Sequence, residues 1–478
     1  MKCPRAAADV AGELWRLGAA ETAAAIRERR HSCEEVVASH VERMRAVNPP
    51  LNAVTVDLGD EAIDAARAAD AALDTGAAPG PLCGVPVTIK ENVDVTGQPT
   101  PNGLPALANL VAPDDSPVVK NLKQAGAIII GRTNTPEFSF RAFTDNPLRG
   151  LTLNPWDEAV TCGGSSGGAG AAAAAGIACI NHGNDIGGSL RFPAHQCGLS
   201  TIRPTLGRVP SFNPSASDER PPLMTLMSVQ GPITRCVADT RLGLEVMAQG
   251  DPHDPWWVPA PLVGPPLDAP IKVAVTTEDY GVGIDPQVRA SVGRAADILS
   301  DAGYAVEEAA LPNVADTLDL WFNLLFTEFS GLLEQGARPL FSETMAGVID
   351  AYKERAELQD HAGYMRGLAQ RNAMLREWGL FHEQYPLVLT PTLLGPPLRV
   401  GDDEGGYDSV KRVFESATYV SSMNLLGLPV GIAPIGMHDT SPISVQLIGP
   451  RYREDLCLDA AAVIEAEVGI LVEELWAR

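Results

Sequence analysis

The sequence predicts one large α/β domain carrying a helical insertion, and three observations predict it. Short apolar runs alternate with amphipathic segments along most of the chain. No internal repeat or low-complexity linker divides its 478 residues. A mostly helical stretch, about 314–385, interrupts the alternation and carries Trp321, Phe322, Phe326 and Phe329.

The elements follow in order. Residues 1–75 read as a helical N-terminal segment. Ser32 with Glu35 forms a capping-box pattern, followed by Val36, Val37, His40, Val41 and Met44 at helical spacing. His40 on that stripe reads as a packed core histidine. An Ala-rich helix spans 61–73. Residues 85–89 form a short apolar run bounded by Gly84 and Lys90, which predicts a buried strand. Residues 118–124 read as helix and 127–130 as strand, within a segment 82–240 taken as the catalytic core. The Ala-rich run 169–180, broken by Gly176, predicts a buried helix. Strands are expected at 271–276, 304–308, 387–390, 430–434 and 443–448, with a helix at 288–299.

Composition narrows the function. Hydrophobic residues make up 45% and charged residues 20%, an ordinary globular balance. Sixty acidic against 36 basic residues give a formal charge of −24, a field that repels nucleic acid and anionic membrane. The eight cysteines form no Cys-x-x-Cys pair and match no zinc spacing, so they read as reduced, partly buried thiols. With no signal pattern over residues 1–17 and no run of about 18 apolar residues, a cytoplasmic protein is expected.

The chemistry concentrates between Thr161 and Arg191. Gly163-Gly164-Ser165-Ser166-Gly167-Gly168 opens this segment, and Gly183-Asn184-Asp185-Ile186-Gly187-Gly188-Ser189-Leu190-Arg191-Phe192-Pro193 closes it. Backbone N–H groups freed in such turns make a nest suited to a developing oxyanion. A flexible linker fits poorly, because the flanks are strongly apolar. A phosphate loop would need a G-x-x-x-x-G-K-[ST] or a G-x-G-x-x-G after a strand, and neither is present. Gly163 to Gly167 fits G-x-S-x-G, yet the elbow of that motif needs a strand before it. Here Asn154-Pro155-Trp156-Asp157-Glu158 precedes, a loop. His382 and His438 could supply a triad but have no distinctive surroundings.

These residues resemble the amidase-signature hydrolases. The resemblance rests on Gly163 to Gly168, on Asp185-Ile186-Gly187-Gly188-Ser189, and on Arg191-Phe192-Pro193-Ala194. Val87-Thr88-Ile89-Lys90-Glu91-Asn92 and Asn154-Pro155-Trp156-Asp157 extend it. Lys90 precedes Ser165 by 75 residues and Ser165 precedes Ser189 by 24, spacings similar to the family's. Weaker likeness recurs at Leu389-Thr390-Pro391-Thr392, at Asn424 with Gly427-Leu428-Pro429, and at Gln446-Leu447-Ile448-Gly449, covering about 25–470.

The resemblance implies a mixed twisted sheet covered by helices on both faces. It also implies a metal-free Ser–cis-Ser–Lys triad with no cofactor. Ser189 would attack the carbonyl and form an acyl-enzyme, Ser165 would follow a cis peptide and relay the proton, and Lys90 would be the base. Burial at the end of an apolar run should lower the Lys90 pKa toward neutrality. The N–H groups of Ile186, Gly187, Gly188 and Ser189 would form the oxyanion hole, with Ser166, Asp185 and Arg191 supporting them. Asn184 departs from the small hydroxyl residue that many relatives carry. His182 and His195 flank the nucleophile turn but read as structural, and Cys162 and Cys197 as bystanders.

Expected substrates are small aryl or acyl amides, with aryl carbamates and esters as side activities. A glutamine-hydrolysing subunit of a transamidation complex is the alternative. A non-catalytic binding protein on this scaffold would need a lost triad member, and none is lost. Met224, Trp321, Phe322 and Phe326 are the candidate pocket walls. A homodimer would match family habit.

Overall fold

A computed structural model describes residues 13–477. Its centre is an eleven-stranded mixed sheet. The strands are β1 (Val54–Asp57), β2 (Pro86–Lys90), β3 (Ile128–Thr133), β4 (Ile180–Asp185), β5 (Ser200–Arg203) and β6 (Val229–Thr234). They continue with β7 (Lys272–Val275), β8 (Ala305–Glu308), β9 (Leu387–Pro391), β10 (Val430–His438) and β11 (Ser441–Ile448). Their order across the sheet is β1-β3-β2-β4-β6-β5-β10-β11-β9-β7-β8. Parallel pairs occupy both flanks, β3-β2-β4 and β9-β7-β8, while β4-β6-β5-β10-β11-β9 runs antiparallel between them.

The N-terminal reading holds at its cap. Ser32 Oγ accepts the Glu35 N–H at 3.0 Å and Glu35 Oε2 accepts the Ser32 N–H at 2.9 Å, starting the helix Cys33–Leu51. His40 is buried, its Nδ1 2.9 Å from the Ile177 carbonyl oxygen. The segment is not wholly helical, because β1 enters between Cys33–Leu51 and Gly59–Asp74 and pairs antiparallel with β3. Residues 1–12, with Cys3 and most of the expected signal-free N-terminus, lie outside the described residues.

The Ala-rich helix is shorter than expected. It spans Gly167–Ala174, and Gly176 at φ 78° turns the chain so that Ile180 already begins β4. Every residue of this helix is buried, and its small side chains let the first glycine-rich turn sit deep in an apolar cluster.

The region 314–385 is helical, built from Val314–Glu328, Glu334–Ala337, Glu343–Arg355 and His361–Gln384. A π-helical turn, Phe329–Leu333, joins the first two. This layer shares one apolar cluster with the helices Pro222–Met227, Tyr407–Ser416 and Thr418–Leu426. Among the described residues no helix is long and apolar enough to cross a membrane.

Candidate active site

The site forms where two glycine-rich turns meet the end of β2. Lys90 is the last residue of β2 and is wholly buried. Its Nζ lies 2.7 Å from Ser165 Oγ, 3.1 Å from Ser166 Oγ and 2.7 Å from Asn184 Oδ1. The Gly164–Ser165 peptide is cis. Burial drives the Lys90 amine well below the usual lysine range, with the Asp185 carboxylate pulling weakly the other way.

Asp185 ends β4, and the turn Ile186–Leu190 leads into the helix Arg191–Cys197. Gly188 takes φ 124°, and a Cβ there would meet Val420 and Phe192. A Cβ on Gly187 would lie 2.8 Å from the Trp321 ring. Two glycines in succession are therefore what this turn requires.

Asp185 holds the turn rigid. It accepts the Gly188 N–H at 2.8 Å and the Leu190 N–H at 3.1 Å, and pairs with Arg191 Nε at 3.0 Å. Arg191 also donates to the Val420 carbonyl at 2.7 Å, and Asn424 Nδ2 donates to Asp185 at 2.7 Å. Arg191 Nη1 lies 3.3 Å from Gln446 Oε1. Asn424 and Gln446, marked in the sequence only by weak likeness, thus anchor the turn Ile186–Leu190. With this ion pair the Asp185 carboxyl stays below the usual carboxylate range despite its burial.

Three of the four expected oxyanion donors remain open. The N–H groups of Ile186, Gly187 and Ser189 make no hydrogen bond among the described residues, but the Gly188 N–H is committed to Asp185. Gly188 is therefore not a donor in this arrangement. Its side-chain-free backbone lets the turn close, while Asp185 takes its hydrogen.

Ser166 is a junction. Its Oγ donates to the Asn184 carbonyl at 3.2 Å and accepts the Asn184 N–H at 3.3 Å, tying the two turns together. Asn184 forms a reciprocal amide pair with Asn92, at 2.9 and 3.3 Å. No sequence signal places Asn184 against the lysine or Asn92 behind it. His182 is buried, bonded to Gln230 Oε1 at 2.8 Å, and pushed down to about 3. His195 is likewise buried and pushed down to about 3. Burial raises the Cys162 thiol to about 12 and the Cys197 thiol well above its ordinary value, so neither supplies a thiolate.

Beside Ser189 lies a cavity of only about 30 Å³, room for about one water. Trp321, Leu325 and Phe326 supply one wall from the helix Val314–Glu328, opposite Phe140, Phe192 and Phe414. Trp321 Nε1 donates to the Ile186 carbonyl at 3.2 Å, fixing the wall to the turn that carries Ser189. Phe322 does not itself line the cavity; it packs behind the residues that do, on Trp321, Phe326, Tyr352 and Phe414. Met224 also lies off the cavity, in the core beneath it, where Glu328 caps its helix by accepting the Leu223 and Met224 N–H groups at 2.9 Å. Ser139 to Ala142, Tyr352 and Phe414 line the cavity without any signal in the sequence that marks them.

Comparison with known proteins agrees with this geometry. The amidase family model matches residues 35–458. The chain is 53% identical over 466 residues to an indoleacetamide hydrolase of Bradyrhizobium diazoefficiens, covering 97% of this chain and 89% of that protein. It is 33% identical over 480 residues to a glutamyl-tRNA(Gln) amidotransferase subunit of Moorella thermoacetica, covering 95% and 97%. Among solved structures, a bacterial aryl acylamidase of the amidase-signature family superposes with a TM-score of 0.81 at 25% identity, covering 96% and 98%.

Proposed function

The chain belongs to the amidase family and is an amide hydrolase, and from that premise we propose that it cleaves a small arylacetamide, with indole-3-acetamide the leading candidate, through an acyl-enzyme on Ser189. The observation that carries the mechanism is the hydrogen-bond count at Lys90. A neutral amine has two N–H donors and one lone pair. Asn184 Oδ1 can only accept, and Ser166 Oγ already donates to the Asn184 carbonyl, so both take N–H groups from Lys90. Ser165 is left to donate its O–H to the lone pair. That is the polarity a proton relay needs.

In this reading Ser189 attacks the carbonyl while its proton passes to Ser165, and Ser165 passes its own to Lys90. The oxyanion is met by the N–H groups of Ile186, Gly187 and Ser189. Removing one such donor in comparable sites costs about 3 kcal/mol. Collapse breaks the C–N bond, the Lys90 proton leaves with ammonia through the same relay, and water then releases the arylacetate. The 53% relative and the aromatic wall support the acyl group. Esters and aryl carbamates, with better leaving groups, are side activities of the same acyl-enzyme.

The test is turnover of indole-3-acetamide, a p-nitroanilide, a p-nitrophenyl ester, an aryl carbamate and free glutamine by wild type and Ser189→Ala. Arylacetamide hydrolysis should fall by about 10⁴-fold or more in the variant. Unchanged activity would refute Ser189 as nucleophile. Glutamine as sole substrate would move the reading to the transamidation alternative that the 33% relative brings.

A further inference from the structure

Four polar side chains line the cavity beside the nucleophile: Ser139, Arg141, Ser189 and Tyr352. Three are engaged or reactive. Ser139 Oγ donates to Asn102 Oδ1 at 2.6 Å and takes the Asn92 amide N–H at 3.0 Å. Arg141 is bound by Asp403 at 2.7 and 2.8 Å and by Glu404 at 2.7 Å. Ser189 is the proposed nucleophile. The Tyr352 hydroxyl, on a residue only 2% exposed, has no hydrogen-bond partner among the described residues.

The ring lies 5.2 Å from Phe326, 5.4 Å from Phe414 and 6.4 Å from Phe322, side chains that offer no polar atom. The Asp403 carboxylate and the Arg141 guanidinium act on the phenol through their charge, but they are bonded to each other and neither bonds to the hydroxyl. Buried hydroxyls are normally paired, and an unpaired one in a native site calls for a reason. Burial pushes the phenol up, so it stays protonated at any working pH and can both accept and donate. Flat rings on several sides select a planar guest, and one hydroxyl among them can read a single polar atom on its edge.

We propose that Tyr352 is a specificity-determining residue whose hydroxyl accepts a ring N–H of an aryl- or heteroaryl-acetamide bound beside Ser189. The proposal rests on the arylacetamide reading and narrows it to substrates with a hydrogen-bonding ring, such as an indole. Because the cavity holds little more than a water, the guest enters as the aromatic wall yields, and the hydroxyl is met on entry. A carbocyclic ring of similar size fills the same space but leaves the hydroxyl unpaired, and such a site discriminates against it.

The experiment measures kcat and KM for indole-3-acetamide, its N1-methyl derivative and naphthalene-1-acetamide, with wild type and Tyr352→Phe. Wild type should favour the indole over the other two by about tenfold in kcat/KM, the net worth of one neutral hydrogen bond, carried mainly by KM. Tyr352→Phe should bring the three substrates together by slowing the indole alone. A wild type indifferent to the ring N–H overturns the proposal even if the variant does not fold. So does a preference that survives in Tyr352→Phe, since the hydroxyl would then serve a bound water or nothing. Failure of wild type to cleave any of the three instead rejects the arylacetamide reading itself.

Discussion

At the scale of the residue, the proposed chemistry turns on keeping one amine neutral; burial does most of this, and the uncharged group set against the amine is Asn184. Its carboxamide oxygen sits 2.7 Å from Lys90 Nζ and carries no net charge, so it takes an N–H while stabilising an ammonium far less than a carboxylate would. The Asn92 pair prevents the amide from turning its NH₂ toward the lysine. Asn184→Asp keeps the shape and adds a negative charge. It should raise the Lys90 pKa, as an opposite charge at contact does. The proposed relay needs neutral Lys90, so in that relay kcat/KM falls as pH drops through that pKa. The acid limb of the pH–rate profile should therefore move upward in Asn184→Asp and stay near its wild-type place in Asn184→Ser. An unmoved limb in the aspartate variant would mean that Lys90 is not the titrating base. Ser165 and Ser189 could be singled out in the sequence because glycine-rich turns leave a local signature, and Lys90 because it closes the apolar run of a motif shared with the family. The pairing of Asn92 with Asn184, and Arg141 and Tyr352 altogether, could not be, since each acts through a partner remote in the chain and no periodicity marks it.

At the scale of the element, the turn Ile186–Leu190 is held by the end of a strand and the pocket mostly by helices. The helical layer comes onto the site through Trp321 and Glu328, and the loop 399–406 comes onto it through Asp403, 1% exposed, which grips Arg141 in the cavity wall. Removing one partner of a buried pair leaves the other charge uncompensated, at a cost of about 3–5 kcal/mol. Asp403→Asn should thus lower stability by about that amount in urea unfolding, lessened by the remaining Glu404 contact. It should raise KM more than it lowers kcat, because Arg141 shapes the pocket and touches no reacting atom. A kcat effect alone would place Arg141 in the chemistry instead. Strands β2, β3 and β7 to β11 were readable as apolar runs, whereas β1, β4, β5 and β6 were not. In β4 the residues Asn181, His182, Asn184 and Asp185 are polar yet buried or half-buried, and bond to Thr88, Gln230, Asn92 and Arg191, with only His182 Nδ1 left unpaired among them. A strand whose buried side chains are paired polar groups shows no hydrophobic period, and β6 further conceals itself with Gly231 and Pro232.

At the scale of the whole molecule, the α/β class was visible in the alternation, but the strand order was not. Pairing of β2 with β4, or of β5 with β10 over more than 200 residues, is decided by packing that no local pattern encodes. The same packing buries histidines throughout the fold, and this makes stability depend on pH. His40, His182 and His195 are pushed down to about 3 and His382 to about 4, each chiefly by burial. An unfolded histidine takes up its proton near 6.5, so below that pH the unfolded chain binds protons that the native one refuses. The native state therefore keeps its full histidine contribution above about 6.5 and loses it progressively toward 3–4. Glu465 has the opposite sign. Burial raises it to about 7, so its native contribution is complete below the ordinary glutamate range and fades as pH rises through 7. Burial raises Asp239 and Asp403 as well. The four imidazoles, however, have their unfolded value of about 6.5 inside the window, and the thermal midpoint at a fixed scan rate should fall between pH 7 and pH 5. His40→Asn should flatten that fall, because it removes one of the four groups even where it lowers the midpoint itself. A midpoint that holds or rises from pH 7 to pH 5 would show that the relief of repulsion among the chain's excess acidic residues outweighs its buried imidazoles.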